Sequence, residues 1–214
     1  MKRPLFLLLA SATLLIACNN KQDANDKNFS AAMDQYLVKH GEMCLGSLYL
    51  RKWPVDIVDR TGLNFQLAPR ATDEAAQLKA LEAVGLVKGA NVEIDQLGYD
   101  RKPTGRMSKV RRYVLTDTGN KMRRDRDGRA DICYGNKRLD RIVKWDNVAS
   151  FGSETGTTVS YYYKVDGLQN WALAPEMQAA FPHVKKSVDN AGKELTRHGL
   201  KLTNLGWEAN GIDR

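Results

Sequence analysis

The sequence has few of the residues on which most catalytic and metal sites depend. It contains three histidines, His40, His183 and His198, which lie far apart in the chain, and three cysteines. Neither C-x-x-C nor H-x-x-x-H occurs, so the usual spacings of zinc ligands are missing. The serine-hydrolase, phosphate-loop and dinucleotide patterns are missing as well. We therefore expect no catalytic residues, no metal site and no cofactor, and a protein that is not an enzyme.

The chain opens with a short basic and apolar segment. Lys2 and Arg3 precede a stretch from Leu5 to Ala17 in which only two residues carry a polar group. An apolar stretch of about 13 residues is too short to cross a bilayer as a helix. A charged start, a short apolar core and small residues at its end are typical of a secretory signal peptide. The sequence therefore predicts a signal peptide over residues 1–17.

The end of this segment, Leu15-Ile16-Ala17-Cys18, resembles the lipobox of bacterial lipoproteins. The resemblance implies diacylglycerol on the Cys18 thiol, cleavage before Cys18 and acylation of the new N-terminus, which together give a stable anchor. The alternative is an ordinary signal peptide with a cysteine at its end by chance. Asn19 stands where an aspartate would resemble an inner-membrane retention signal, so we expect the outer membrane, with the protein facing the periplasm. Residues 18–28 are polar and predict a flexible tether.

Two cysteines, Cys44 and Cys133, remain for the folded part of the chain. Thiols do not stay reduced in an oxidising periplasm, and an even number of cysteines in an exported domain is most simply a disulfide. The sequence therefore predicts a Cys44–Cys133 bridge in preference to a nucleophile or a pair of metal ligands.

Two helices and a strand are predicted before residue 86. Residues 29–40 carry apolar side chains at spacings of three and four and predict an amphipathic helix with Ser30 as its cap. Residues 43–50 predict a buried strand. Thr72 and the two acidic residues that follow it predict the start of a second helix. Gly85 is expected to end that helix.

A β-hairpin is expected after the second helix. Its first strand is predicted at 92–100, its tip at 103–108 and its return strand at 109–119, followed by a short helix at 119–124. A helix, a hairpin and the exit sequence YVLTDTG in this order resemble winged-helix domains, and the resemblance covers Thr72 to Met122. It implies a winged-helix shape and is silent on activity.

The second half of the chain is predicted to be rich in β-strands. Two β-rich segments, a helix that starts near a proline and a terminal strand are predicted there, at 130–146, 157–168, 170–182 and 194–209. The expected fold class is α+β. A winged-helix-like N-terminal half, residues 29–129, would pack with a second, small, antiparallel β-rich half, residues 130–214.

The motif Leu-Thr-(Asp or Asn)-x-Gly occurs twice, at 115–119 and at 202–206. A Thr or Asx side chain can cap the backbone where a strand ends, and glycine accepts the left-handed conformation that comes next. The repetition is therefore explained either by convergence on a favourable turn or by an ancient duplication.

Positive charge is concentrated in one stretch. Between Arg101 and Arg129 there are eleven Lys or Arg residues against three Asp, whereas the whole chain carries +8. Such a stretch is either a binding face for an anionic partner or a solvated hairpin whose charges protect an edge strand from aggregation. We expect the binding residues in its centre, at Arg106, Lys109, Arg111 and Arg112. The partner would be a protein or an anionic envelope component, and the acidic predicted helix argues against specific nucleic-acid binding.

The whole chain after the signal peptide resembles a group of proteobacterial lipoproteins. The segments that carry the resemblance are ICYGNKRLDRIVKW, VSYYYKVD, WALAPEMQAAFP and LKLTNLGWEA. Together with the lipobox, this favours a lipid-anchored, non-catalytic periplasmic binding protein held in the membrane through Cys18. The alternatives are an immunity-type lipoprotein that neutralises a toxin acting in the periplasm and, less favoured, an envelope enzyme.

Overall fold

The computed structural model describes residues 20–46, 52–58, 69–126 and 129–213, with side chains omitted at 69–72, 126 and 129. Five α-helices lie within these ranges: α1 (Asp26–His40), α2 (Pro69–Ala83), α3 (Asp117–Met122), α4 (Pro175–Ala180) and α5 (Pro182–Asp189). The ten strands in the same ranges are β1 (Glu42–Cys44), β2 (Val55–Val58), β3 (Val87–Leu97), β4 (Pro103–Leu115), β5 (Arg123–Arg126), β6 (Arg129–Trp145), β7 (Ala149–Phe151), β8 (Glu154–Asp166), β9 (Thr196–Thr203) and β10 (Gly206–Ala209). In the part of the chain that is described, no helix has the length and apolarity needed to cross a bilayer.

The larger of two sheets is antiparallel and draws strands from both ends of the chain. Its seven strands run in the order β1-β6-β8-β9-β10, with β5 also paired to β6 and β7 to β8. The long strands β6 and β8 correspond to the β-rich segments predicted from the sequence. The predicted terminal strand is a hairpin, since β9 turns at Asn204 and Leu205 and returns as β10.

The smaller sheet has three strands in the order β2-β4-β3. Strands β3 and β4 form the predicted hairpin, but its turn lies at Gly98–Lys102, because Leu97 pairs with Pro103. The prediction of a tip at 103–108 is therefore wrong, since those residues belong to β4. Proline at the first position of a strand needs no ladder hydrogen bond from its nitrogen, which suits Pro103 to the start of β4.

Helix α1 begins earlier than the sequence pattern predicts. Asn25 is its cap, and the Asn25 side chain accepts a hydrogen bond from the backbone N–H of Asn28. Ser30 lies inside the helix, so the prediction of a Ser30 cap is wrong. The Asn28 amide also donates to the backbone oxygens of Asn20 and Asp23. The indole N–H of Trp207 donates to the backbone oxygen of Gln22 at 3.0 Å. The segment predicted as a tether thus contains an ordered turn and the first residues of α1.

Helix α2 matches its prediction better at its end than at its start. It begins at Pro69, three residues before the predicted cap Thr72, and proline suits a first helical position. Its end is confirmed, because Gly85 has a φ of +75°, and the N–H groups of Gly85 and Leu86 donate to carbonyls of the last helical turn. Thr116 caps α3, where its hydroxyl accepts from the N–H of Gly119.

The core has two parts, one at each end of β6. The first joins α2, the small sheet, the start of β6 and the C-terminal helices, and it is centred on Leu78, Leu81, Tyr134, Met177 and Phe181. The second lies between α1 and the strands β8, β9 and β10, and it contains Phe29, Met33, Val159, Leu200 and Trp207.

The prediction of a winged-helix-like N-terminal half is wrong, because the protein is mostly β-sheet and its few helices do not form such a unit. Helix α1 packs against β6 and β10 of the larger sheet, and β1 pairs with β6. Helix α2 packs against α4, which comes from the opposite end of the chain. A helix followed by a hairpin is a local pattern, but its packing partners are chosen by apolar residues such as Met177 and Phe181, which lie about a hundred positions later.

The predicted disulfide is confirmed. Cys44 and Cys133 face each other in the antiparallel pairing of β1 with β6, and their sulfur atoms are 1.92 Å apart. The predicted strand 43–50 is seen only up to Cys44, after which Leu45 is buried, and residues 47–50 lie outside the described ranges.

Candidate binding surface on the hairpin

The hairpin formed by β3 and β4 projects beyond the rest of the small sheet. Among the described residues, strand β2 pairs with β4 over Val110–Tyr113, whereas β3 and β4 continue to pair with each other as far as Leu97 and Pro103. Beyond Val110, the part of the chain that the structure describes supplies two strands, β3 and β4, and no third.

The turn of the ribbon is fixed by its own polar groups. The Asp95 carboxylate accepts hydrogen bonds from the backbone N–H groups of Thr104 and Gly105, at 3.0 and 2.9 Å. The Gly98 N–H donates to the Lys102 carbonyl, and the Thr104 hydroxyl donates to the carbonyl of Gln96. These bonds hold a register shift between Asp95 and Leu97 in one conformation.

Apolar side chains stand in solvent around this turn. Tyr99 is fully exposed, and Leu97 and Met107 expose more than half of their surface. Arg101 has a φ of +62° and is the one non-glycine residue with positive φ among those described. A left-handed conformation at a long side chain costs free energy and tends to occur at functional positions. The turn thus presents tyrosine, aliphatic and arginine side chains together, which is a composition typical of binding sites.

The four predicted binding residues divide into two pairs. Arg106 and Lys109 are exposed and form no ion pair with any residue in the described ranges. Arg111 and Arg112 are each held by a carboxylate at the base of the hairpin. The first pair has cations available to a partner, and the second pair contributes to the fold.

Arg111 connects the small sheet to helix α2. Its guanidinium donates to both carboxylate oxygens of Glu82, at 2.8 and 2.9 Å, and lies 5.5 Å from the centre of the Tyr113 ring. Glu82 also accepts from the N–H of Gly89. The hydrogen bond from Arg111 lowers the pKa of the Glu82 carboxyl. Arg111 therefore orients α2 on the sheet, and its guanidinium is already engaged in hydrogen bonds.

Arg112 connects β4 to β2. It lies opposite Asp56 in the strand register and donates two hydrogen bonds of 2.7 Å to the Asp56 carboxylate. The hydrogen bond from Arg112 lowers the pKa of Asp56. Two parallel N–H to oxygen bonds make a well-oriented pair, although its partial exposure limits its contribution.

These two pairs predict acid sensitivity. The folded-state pKa values of Asp56 and Glu82 lie below the ordinary range near 4, so both groups bind protons less readily in the folded chain. Their contribution to stability is complete above that range and is lost as pH falls through the lowered pKa values. We expect the free energy of unfolding, measured with urea, to fall less steeply below about pH 5 in Asp56→Asn/Glu82→Gln than in the wild type.

The matched control for this acid sensitivity removes two exposed carboxylates elsewhere, in Asp34→Asn/Glu154→Gln. This control should keep the wild-type dependence on pH. A wild-type slope in the ion-pair variant would show that the two arginines do not stabilise the fold through charge.

The basic stretch is further neutralised along β5. Arg123 pairs with Asp125 at 2.8 Å and Arg124 with Glu42 at 3.0 Å. The Arg124–Glu42 contact ties β5 to the edge of the larger sheet. The high local charge of the sequence is therefore only partly available for binding, and the exposed cations without an ion pair among the described residues include Arg106 and Lys109 on the hairpin.

A groove lies beside the base of the hairpin, between α2 and the small sheet, and its volume is about 650 Å³. Its apolar lining residues are Ile57, Val58, Ala75, Val92, Val110 and Tyr113. Its polar lining residues are Lys79 on α2, Asn91 and Glu93 on β3, and Lys109 and Arg111 on β4. In the strand register Ile57, Asn91 and Arg111 share one face of the sheet, and Val58, Val92 and Val110 share the other.

The three histidines have no arrangement that suggests catalysis. The rings of His40 and His198 stack on Tyr36, and their Nε2 atoms lie 3.0 Å from the carbonyl oxygens of Ile212 and Asn210. His183 is exposed on α5. His40 and His198 therefore hold the C-terminal turn against α1 and β9.

Within the described ranges, the one cluster with metal-ligand chemistry is Glu42, Cys44 and Cys133. Both sulfur atoms of this cluster are used by the disulfide. The expectations of no metal, no cofactor and no enzymatic activity stay predictions.

Comparison of the chain with known protein families, curated protein sequences and solved structures gave no match. Function is therefore inferred from the surface itself.

Sequence reasoning placed the candidate binding residues on the hairpin, which stays a prediction, and it missed the residues that surround them. Asp56 and Glu82 were not expected near the basic stretch, since they are 56 and 29 positions from their partners Arg112 and Arg111 in the chain. No feature of the sequence shows which of the eleven basic residues pairs with a given carboxylate. Cys18 lies outside the described residues, so its lipidation stays a prediction.

Proposed function

We propose that the protein is a lipid-anchored, non-catalytic binding protein of the bacterial envelope that holds its partner with the projecting hairpin. The lipid is on Cys18, the membrane is the outer membrane, and the folded part faces the periplasm. The observation that supports binding is the rigid turn with Leu97, Tyr99 and Met107 exposed. Exposed apolar side chains on a projecting hairpin favour aggregation unless a partner covers them.

The chemistry of the turn indicates what the partner offers. Arg101, Lys102 and Arg106 surround the apolar side chains, and Asp100 pairs with Lys102 at 3.7 Å. The Asp95 carboxylate is turned toward the backbone of the ribbon. A complementary surface therefore carries an apolar spot with negative charge around it, as on an acidic protein or near the phosphates of lipopolysaccharide.

The proposal is tested by photocrosslinking in intact cells. A photoreactive amino acid replaces Tyr99 at the turn or, as exposed controls elsewhere, Val38 and Leu205. We expect an envelope adduct at position 99 that the control positions lack. Arg101→Gln/Arg106→Gln should reduce it several-fold, whereas the charge-matched Lys144→Gln/Lys164→Gln should not. Arg111 and Arg112 are left unchanged, because their loss would disturb the fold.

The same cells, grown with a clickable palmitate analogue, test the anchor. Label should be found on the wild type and be absent from Cys18→Ala. Equal labelling of the two chains would refute lipidation at Cys18. Equal adducts at positions 38, 99 and 205, or an adduct indifferent to Arg101 and Arg106, would refute the hairpin as the binding surface.

A further inference from the structure

We propose that a cleft between α5 and the larger sheet binds a small zwitterion, that is, a molecule with one carboxylate and one ammonium group. Free α-amino acids and ω-amino acids share this chemistry. None of the residues that line the cleft belongs to the hairpin, so this site stands independently of the binding function proposed above.

The floor of the cleft is one face of three neighbouring strands. Lys137 on β6 lies opposite Val165 of β8, and Tyr163 is two positions before Val165. Thr196 on β9 lies opposite Tyr161, which is two positions before Tyr163. Residues two positions apart on a strand point to the same face of a sheet. Lys137, Tyr163 and Thr196 therefore all stand on the face that is turned toward α5.

Helix α5 forms the wall of the cleft. The Tyr163 hydroxyl donates a hydrogen bond of 2.6 Å to the backbone oxygen of Ser187 and so fixes the last turn of α5 above the floor. Lys186 and Asn190 line the cleft from this side. The Asn190 amide donates a hydrogen bond to the carboxylate of Glu194, which lies just before β9 and also lines the cleft.

Lys137 supplies a positive charge for which the fold provides little compensation. Its side chain is partly buried, and its Nζ atom lies 4.6 Å from the centre of the Tyr163 ring. Neither Lys137 nor Lys186 forms an ion pair with a carboxylate in the described ranges. Burial lowers the pKa of the Lys137 ammonium. A buried charge without a partner of opposite sign, placed in a cleft, is a candidate for binding such a partner from solution.

Glu194 disfavours a ligand that carries negative charge alone. It precedes β9, which lies on the other side of β8 from the strand that carries Lys137. Burial and, after it, the negative charge of Glu194 raise the pKa of the Tyr163 hydroxyl. The carboxyl end of a helix, here α5, also favours a cation. A carboxylate at the two lysines and an ammonium group at Glu194 would match the charges at both ends of the cleft.

The size of the cleft limits the ligand to a small molecule. Its volume is about 210 Å³, whereas sites for drug-sized ligands measure about 300 to 1,000 Å³. The Thr196 hydroxyl and the second N–H of the Asn190 amide can add hydrogen bonds to the ligand. A free amino acid combines this size with both charges.

The inference is tested by calorimetric titration of the full-length protein in detergent micelles. The probes are alanine and 4-aminobutyrate, which carry both charges at two different spacings, and propionate and ethylamine, which carry one charge each. At least one of the two zwitterions should bind several-fold tighter than both propionate and ethylamine. Tighter binding of alanine would assign the site to α-amino acids, and tighter binding of 4-aminobutyrate would assign it to ω-amino acids.

Two sets of variants separate recognition in the cleft from general charge effects. Lys137→Met, Lys186→Gln and Glu194→Gln should each weaken zwitterion binding several-fold. Lys193→Gln and Asp189→Asn remove charges from exposed residues that do not line the cleft, and they should leave binding unchanged. Glu194→Gln should also let propionate bind tighter than it binds to the wild type, because the repulsion is removed. All variants are first checked for an unchanged melting temperature.

Two results would overturn the inference. One is that propionate or ethylamine binds as tightly as both zwitterions, or that neither zwitterion binds. The other is that the two variants outside the cleft weaken zwitterion binding as much as the three variants inside it, because the attraction would then come from the charge of the whole surface.

Discussion

Reduction of the Cys44–Cys133 disulfide is expected to lower the free energy of unfolding by roughly 4 to 5 kcal/mol. The cysteines are 89 positions apart, and the covalent loop between them contains the whole small sheet together with α2, α3 and β5. In the oxidised unfolded chain this loop cannot expand freely, so the unfolded state has less conformational entropy and is less favoured. Without the bond, this end of the loop is held on β6 by the pairing of the three-residue strand β1.

Urea denaturation of the oxidised protein with and without reductant measures this effect. Cys44→Ser/Cys133→Ser should unfold at the urea concentration of the reduced wild type, and reductant should not change it further. If the oxidised and reduced wild type unfolded at the same urea concentration, the bond would contribute nothing to stability, and its entropic role would be disproved.

Phe29→Ala is expected to destabilise the protein by about 3 to 5 kcal/mol. Phe29 is completely buried, and its ring packs edge-on against Trp207 and Trp145, with centroids 4.9 and 5.2 Å away. Alanine would leave a cavity between α1 and the larger sheet and would also remove two favourable aromatic contacts. Because α1 has few other large buried side chains, we expect the helix to loosen from the sheet.

The matched control is Phe151→Ala, since Phe151, the last residue of β7, is 84% exposed. Its loss should change stability by no more than about 0.5 kcal/mol. Thermal unfolding gives the comparison, and tryptophan fluorescence gives a local signal, because Phe29 touches two of the four tryptophans. Equal losses for the two variants would contradict the packing of α1 described above.

Local features were predictable from the sequence where a single residue type decides the backbone. Gly85 ends α2 because glycine adopts positive φ without steric cost. The disulfide followed from an even number of cysteines in a chain that its start predicts to be exported. The long strands β6 and β8 were visible as β-rich segments. For the helix end and the strands the information lies in the residue itself or in its immediate neighbours, and for the disulfide it lies in the number of cysteines.

Packing partners were not predictable, and the error in fold class results from that. The pattern of α2 and its hairpin is the same whether the helix packs on α1, as in a winged helix, or on α4, as found. The choice depends on how Leu78 and Leu81 fit against Met177 and Phe181. No short stretch of sequence contains that information.

The repeated Leu-Thr-(Asp or Asn)-x-Gly segments illustrate the same limit. Thr116 caps α3 by accepting from the N–H of Gly119. Thr203 instead accepts from the N–H of Leu205 and donates to the carbonyl of Gly206 in the turn between β9 and β10. The same short motif thus begins a helix in one place and forms a hairpin turn in the other. The residues that follow its glycine determine which of the two structures forms.

The ordered turn before α1 would limit how far the folded part could stand from a membrane if Cys18 carried a lipid. Gln22 is fixed to Trp207, and Asn20 is fixed to Asn28, so the folded part of the chain already includes Asn20. For a chain acylated at Cys18, two residue steps separate the lipid from the fold, which is at most about 7 Å. An 11-residue tether would have let the folded part move several times farther. The folded part would instead lie directly on the head groups with its β10 edge. The distance over which it could reach a partner would then be set by the shape of the molecule and not by the length of a flexible tether.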